Sequence, residues 1–185
     1  EDKAVSCFRG AEDDVLGRMA ESLTAYHADT GVVVYGDNPL VDPVIVDEYI
    51  ALFRNKAGYD WIGNDLKTTF PPGMEVEVFS TSTLLNSEKR ATNPLIREHG
   101  TLFIRQHPNL YKLLNVEAKG ARRRPEIHLG IDTPIDMEVL DTIIRYFSGR
   151  EYFSLEEIIG FVDQCPSLLE KNRNVPRRWR KYRVT

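Results

Sequence analysis

Two aspartates in this 185-residue chain have no structural duty that their neighbours explain: Asp37 in "VVVYGDNPLVDP" and Asp132 in "HLGIDTPIDMEVL". Each stands beside a second acid that is accounted for. Asp42 precedes Pro43 and a helical pattern, so it reads as an N-cap with proline at the first helical position. Thr133 has the same relation to Pro134, and Asp136, three residues after that cap, answers the cap's own N–H as in a capping box. A cap is worth about 1 kcal/mol, enough to employ Asp42, Thr133 and Asp136 without any chemistry. Asp37 directly follows Gly36 at the carboxyl end of an apolar run, and Asp132 ends another such run. Open α/β sheets place their ligands at that end of a strand.

If the two strand ends are neighbours, two carboxylates about 4 Å apart repel by about 4 kcal/mol at an effective dielectric near 20. A divalent cation removes that repulsion. Two carboxylates with room for waters and phosphate oxygens describe a magnesium site rather than an all-protein calcium cage. The plain alternative is an Asx-turn at each strand end, which explains either aspartate taken singly; the pairing favours the metal. A phosphate cradle would complete such a site, but the chain has neither G-x-G-x-x-G nor G-x-x-x-x-G-K. The one strand-to-helix turn of suitable form, "FRGAEDDV", carries Glu12, Asp13 and Asp14 where phosphate needs positive charge.

The elements that would position these acids alternate along the chain. "AVSCFRG" reads as a short strand, and Val15, Leu16, Met19, Leu23 and Tyr26 recur at helical spacing after it. "TGVVVYGD" is β-branched and apolar on both faces, which suits a central parallel strand, and Val46, Tyr49, Ile50 and Phe53 mark the next helix. "YDWIGN" suits a short strand, and "PPGMEVEVFS" sets Met74, Val76 and Val78 against Glu75, Glu77 and Phe79. A helix interrupted at Gly100 follows, then the extended "LYKLLNVEA" and a last strong strand in "RRRPEIHLGID". Helices over Pro134 to Phe147 and Ser154 to Cys165 close the pattern. The sum is an α/β layered domain over 1–172 with a mostly parallel sheet, a less regular insert near 63–126, and a basic tail over 173–185.

Composition narrows the function classes. A hydrophobic content of 42% supports one sizeable core. No run of about 18 apolar residues occurs, and "EDKAVSCFRG" lacks the pattern of a signal peptide, so the expectation is a soluble cytoplasmic protein without a membrane partner. Cys7 and Cys165 share no metal-type spacing with the four histidines. A formal charge of -4 argues against nucleic acid as a partner, although "NRNVPRRWRKYRVT" concentrates positive charge around Trp179 and Tyr182. Such tails are ordinarily solvated or packed on a neighbouring subunit.

Several stretches, in order, resemble one family: "FRGAEDDVLGR", "YGDNPLVDP", "PPGMEVEVFS", "REHGTLFIRQHP", "GIDTPIDMEVL" and "YFSLEEIIGFVDQCPSLLEKN". The chain is similar to the sugar-acid cytidylyltransferases of the CMP-sialate and CMP-Kdo synthetase type, nearest their spore-coat polysaccharide branch. The resemblance implies a nucleotide-diphospho-sugar transferase (Rossmann-like) three-layer fold, here without its first strands. It implies transfer of CMP from CTP to a sugar acid, with Asp37 and Asp132 as the catalytic residues that ligate Mg2+. By the same likeness Arg9, Gly10, Arg18 and Gly36 would lie near the nucleotide, while Glu75, Glu77, Arg97 and His99 would border the acceptor. The plain readings beside these are a solvent-facing strand edge for Glu75 and Glu77 and surface or capping groups for Arg97 and His99. A homodimer is also implied, and "LYKLLNV" beside Arg122 to Arg124 would suit its interface.

Two departures stand out. Ile135 replaces the glutamate of the family's Asp-Thr-Pro-Glu-Asp, which costs under about 1 kcal/mol of helix-dipole interaction and leaves Asp132 untouched. The family's Gly-Ser-x-Arg-Leu-Pro-x-Lys phosphate loop is not in this chain, so the expectation is a fragment of a longer enzyme. A non-catalytic paralogue serving as a partner or regulatory subunit, and a metal-dependent glycosyltransferase of related fold, are the competing readings.

Overall fold

The computed structural model describes residues 5–177. Its elements are α1 (Val15–Ala25), β1 (Thr30–Val33), α2 (Pro43–Asn55), β2 (Trp61–Gly63), β3 (Glu77–Ser80), α3 (Thr81–Arg90), α4 (Pro94–Arg97), α5 (Leu102–Gln106), β4 (Leu113–Asn115), α6 (Pro134–Tyr146), α7 (Leu155–Gln164) and α8 (Pro166–Glu170), with a 3-10 turn at Gly120–Arg122. The strands form one sheet in the order β1-β3-β2-β4.

The sheet is mixed. The Thr81 N–H donates to the Asp29 carbonyl at 2.9 Å, and the Phe79 ring lies over Gly31, where a Cβ would come within 2.5 Å of it. The pairs 29/81 and 31/79 run in opposite senses, so β3 is antiparallel to β1. The bonds from the Trp61 N–H to the Lys112 carbonyl and from the Val116 N–H to the Gly63 carbonyl advance together, so β2 and β4 are parallel. The valine run of β1, which suits a central strand, lies at an edge of the sheet among the described residues, with Val32 and Val34 exposed.

Two more expectations differ. "AVSCFRG" forms no strand: residues 5–13 have no regular structure and Val5 is exposed, since no ladder among the described residues takes up its backbone. The strong strand expected in "RRRPEIHLGID" is also missing. Ile127 and Leu129 are fully buried, but the Leu129 and Ile131 N–H groups donate to the loop carbonyls of Pro72 and Asp37 at 2.6 and 2.8 Å rather than to a strand. Conversely α3 is polar on average, with too few apolar residues to mark a helix. Its polar sequence "TSTLLNSEKR" is held by a Ser80 cap on the Thr83 N–H and buries Leu84 together with the small polar Thr83 and Ser87.

By contacts the chain divides into two compact units. Among the described residues the first takes in 5–31, 58–61 and 79–113, and the second 32–57, 62–78 and 114–177, so the stretch 63–126 is shared between them. In the first unit α1 packs on α3 and α4, and α5 on α3, around Leu16, Leu84, Leu102 and Ile104, all at most 1% exposed. Full burial of such side chains contributes about 1.5 to 3 kcal/mol each. Gly100, at φ +56°, makes the break between α4 and α5 that its position predicts.

Asp14 ties this unit together. Its Oδ1 caps α1 by accepting from the Gly17 N–H at 2.9 Å, and both oxygens accept from Arg97, at 3.0 and 2.6 Å. The hydrogen bonds from Arg97 hold the Asp14 carboxyl below the usual carboxylate range. A depressed carboxylate pKa stabilises the fold above the unfolded value, near pH 4, and that contribution is lost as pH falls through the folded value. Asp14→Asn preserves a competent cap and removes the charge, and the pair is part-exposed. The variant should therefore lose about 1 kcal/mol, or roughly 2 to 4 °C in Tm, at pH 7. Melting curves down to pH 3 should show the gap to wild type closing; a gap independent of pH would refute the ion-pair account.

The second unit buries Ile45, Tyr49, Met74, Val76, Ile127, Leu129, Leu140 and Ile143. Asp42 caps α2 through the Val44 N–H and also accepts from the Tyr152 hydroxyl and from the Leu155 N–H, which joins α2 to the start of α7. Ser154 and Glu157 form a capping box on α7. The arginines beside "LYKLLNV" are paired within the chain: Arg122 with Glu48 and Glu156, Arg123 with Glu117, and Arg124 with Glu126 and Asp163. Among the described residues no helix is long and apolar enough to cross a membrane.

Candidate functional site

Three loops of the second unit converge where the two spare aspartates stand. The first, after β1, turns through a bond from the Asn38 N–H to the Tyr35 carbonyl at 3.0 Å and carries Gly36 and Asp37. The second is "PPGMEV". Gly73 has φ +108°, and a Cβ there would lie 2.5 Å from the Leu129 carbonyl carbon, so only glycine allows the loop this approach. The third runs from His128 into the cap of α6.

Hydrogen bonds lock these loops to one another. The Ile131 N–H donates to the Asp37 carbonyl and the Leu129 N–H to the Pro72 carbonyl. Glu75 Oε2 accepts from the Gly73 N–H at 2.7 Å and from Asn38 Nδ2 at 3.1 Å, joining the second loop to the first. Asn38 is itself buried, and Gly130 lies against its Oδ1.

The structure therefore brings Asp37 and Asp132 to one rim, and the electrostatics record it. Asp37 is exposed by surface area, but the loops around it partly desolvate its carboxyl, and this, followed by the negative charge of Asp132, pushes it up from its ordinary value. Among the described residues no lysine or arginine pairs with Asp37. Asp132 is compensated by Arg177, whose Nη1 lies 3.1 Å from its Oδ2, and His128 Nε2 lies 3.3 Å from the same oxygen. Burial, then the charge of Arg177, lowers the His128 pKa, which keeps that ring neutral at pH 7.

Asp136 forms the capping box its position predicts, with Oδ2 accepting from the Thr133 N–H at 2.9 Å, and it does more besides. It is fully buried and accepts from the Asp132 N–H, the Thr133 hydroxyl, Asn172 Nδ2 and both terminal nitrogens of Arg177. Burial alone would raise its pKa, but the Arg177, Thr133 and Asn172 hydrogen bonds outweigh that and hold it well below the usual carboxylate range. His128, Asp132 and Asp136 each offer a ligand atom within 4.8 Å of the others. Both Asp136 oxygens are already spent on donors, so the carboxylates suited to a cation here are Asp132 and Asp37.

The remaining expected residues are placed as follows. Gly36 is exposed next to Asp37, with open space where a side chain would be. Glu75 serves the loop junction just described. Glu77 is not on a solvent face: it is fully buried on β3 and accepts from the Tyr35 hydroxyl. In the first unit Arg9 and Gly10 are exposed, and Arg18 donates to the carbonyls of Ala11 and Glu12. Arg97, expected beside the acceptor, spends all five N–H donors on Asp14, Glu88 and the carbonyls of Glu88 and Ala91. It clamps α4 to the start of α1 and to the end of α3, and has no donor left for a sugar. His99 is half-buried between α4 and α5.

Sequence reasoning missed Arg177, Asn172, Asn38 and His128. All four lie in stretches quoted above, but no local rule gives any of them a duty there, and nothing distinguishes Arg177 from its neighbouring arginines. Trp179 and Tyr182 of that tail lie outside the described residues.

A family model for cytidylyltransferases matches residues 3–173. An uncharacterized protein of Methanocaldococcus jannaschii is 32% identical over 180 residues, 97% of this chain and 71% of its own length. The spore coat polysaccharide biosynthesis protein SpsF of Bacillus subtilis is 34% identical over 161 residues, 86% of this chain and 65% of its own length. Among solved structures, a cytidylyltransferase from Leptospira borgpetersenii serovar Hardjo-bovis superposes with a TM-score of 0.85 at 30% identity, over 94% of this chain and 71% of that one. The chain thus spans some two thirds of the length of these relatives, and shares the fold of the solved one over 94% of its own length.

Proposed function

Because the chain belongs to the cytidylyltransferase family, we propose that the protein transfers CMP from CTP to a hydroxyl of a sugar acid, supplying an activated sugar for a cell-surface or spore-coat polysaccharide. In this reaction the hydroxyl oxygen forms a bond to the α-phosphorus and gives up its proton to solvent, the bond from that phosphorus to the bridging oxygen breaks, and pyrophosphate departs with the electron pair. The observation that carries the reading is the loop junction that sets Asp37 beside Asp132, the Ile131 N–H donating to the Asp37 carbonyl at 2.8 Å, with no lysine or arginine paired to Asp37 among the described residues. Such a donor set fits a hard divalent cation, and Asp37 with Asp132 would hold Mg2+. Bound there, the ion would supply charge stabilisation for the phosphate oxygens of the nucleotide.

The chain's own residues do the positioning. Glu75, through Asn38 and the Gly73 N–H, fixes the loop that carries Asp37. Asp136 fixes the Asp132 backbone by accepting its N–H. The exposed Gly36 leaves the backbone open for close approach of the nucleotide.

The test is pyrophosphate release by the full-length gene product with Mg2+ and CTP across a panel of sugar acids, followed by phosphorus NMR. A new CMP phosphodiester signal that needs the acceptor, and exceeds that from ATP, GTP or UTP by at least about tenfold, is the expected result. Release of a nucleoside diphosphate from a nucleotide sugar, with CTP inert, would assign the site to glycosyl transfer instead.

A further inference from the structure

We propose that Arg177 is a built-in counter-cation of this site, a positioning residue that occupies Asp132 when no metal is bound and sets the affinity for the divalent ion by opposing it. The inference rests on the reading of Asp37 and Asp132 as the metal-holding pair.

The geometry separates a fixed partner from an exchangeable one. Arg177 Nη1 and Nη2 each contact Asp136, at 2.7 and 2.8 Å, in the forked geometry that guanidinium and carboxylate favour. Nη2 also donates to the Asn172 carbonyl at 3.1 Å. Against these three bonds, Asp132 receives one, at 3.1 Å from Nη1. The Arg177 side chain is 3% exposed and Asp136 fully buried, whereas Asp132 keeps 31% of its side-chain surface. Asp132 can therefore turn toward a cation while the guanidinium stays anchored on Asp136.

The charges give the contact its consequence. Asp37, Asp132 and Asp136 place three carboxylates around the converging loops, and among the described residues Arg177 is the arginine paired with two of them, Asp132 and Asp136. Arg177 thus holds Asp132 in place while no metal is bound. A metal ion ligated by Asp132 would lie within about 5 Å of the anchored guanidinium, since magnesium–oxygen bonds are about 2.1 Å. A unit charge at that distance from a divalent ion changes affinity by about tenfold even at the dielectric of bulk water.

The experiment measures Mn2+ binding to the full-length protein by electron paramagnetic resonance, for wild type, Arg177→Gln, Arg177→Lys and Asp132→Asn, with thermal melts confirming that each is folded. Arg177→Gln should bind Mn2+ about tenfold more tightly than wild type, Arg177→Lys should stay within about threefold of it, and Asp132→Asn should lose binding. Should Arg177→Gln lower Tm too far for titration, Arg177→Gln combined with Asp136→Asn removes the buried pair together and should bind Mn2+ more tightly than Asp136→Asn alone, since between those two variants only the cation is lost. Wild-type binding that requires Asp132 but is unchanged or weakened in folded Arg177→Gln would overturn this inference and leave the metal reading standing. Absence of binding in wild type and Arg177→Gln alike would overturn both.

Discussion

Asp132→Ala and Asp37→Ala are each expected to lower kcat/KM for CMP transfer by about 10^3-fold and to abolish magnesium-dependent CTP binding in a calorimeter. The magnitude follows from the several kcal/mol of charge stabilisation that a divalent ion supplies at a phosphoryl centre, with each 1.4 kcal/mol worth tenfold in rate. Neither change should unfold the protein. Asp37 is exposed, and Asp132 contributes to the fold through its backbone N–H, which alanine retains. The variants are not equivalent, however. Removing Asp37 takes away a carboxylate that no described cation compensates, so the fold should be indifferent or slightly more stable. Removing Asp132 leaves Arg177 with its Asp136 fork and one bond fewer. A pair of variants that both keep magnesium-dependent CTP binding within about threefold of wild type would show that these acids are loop-forming residues and that the metal is held elsewhere.

Much of this site could be read before any coordinates, and the reason is local chemistry. Capping follows rules that span four residues, so the duties of Asp42, Thr133 and Asp136 were visible, and subtraction left Asp37 and Asp132. What subtraction could not show was a second duty added to a first. Asp136 looked fully explained as a cap, yet it is also the buried anchor of Arg177, 41 residues away. Asp42 likewise joins α7 to α2 across more than a hundred residues. Arg97 fails for the same reason: its partner Asp14 lies 83 residues upstream and gives no local signal.

The errors in the sheet have a different cause. Periodicity reports how apolar the two faces of a segment are, not which neighbour takes its backbone bonds. "VVVYGD" is apolar enough for a central strand and yet forms an edge among the described residues; "EIHLGID" is apolar enough for a strand and instead gives its N–H groups to two loops. Those loop bonds are what set Asp37 beside Asp132, so the segment misread as a strand is the one that builds the site. Glu77 shows the converse. Its alternation with valines suggested a wet face, but a buried carboxylate can stay on a dry one when a hydroxyl such as that of Tyr35 reaches it.

The largest stability effect is expected at Asp136. Asp136→Ala removes the acceptor from the Asp132 and Thr133 N–H groups, the Thr133 hydroxyl and Asn172, and strands a guanidinium only 3% exposed. Breaking a buried ion pair from one side costs about 3 to 5 kcal/mol, because the remaining charge stays desolvated. For a domain of this size that is a fall of about 10 °C or more in Tm. The sign with pH follows from the depressed carboxyl: its stabilisation is complete above the unfolded value near pH 4 and is lost as pH falls through the lower folded value. Wild type and Asp136→Ala should therefore converge only in strong acid. The double variant Asp136→Ala with Arg177→Met removes both charges, and should recover at least about 1 kcal/mol relative to Asp136→Ala alone. If denaturant titration finds the two losses simply additive, Arg177 and Asp136 are not coupled in solution, and Arg177 then has no fixed anchor from which to oppose a metal at Asp132.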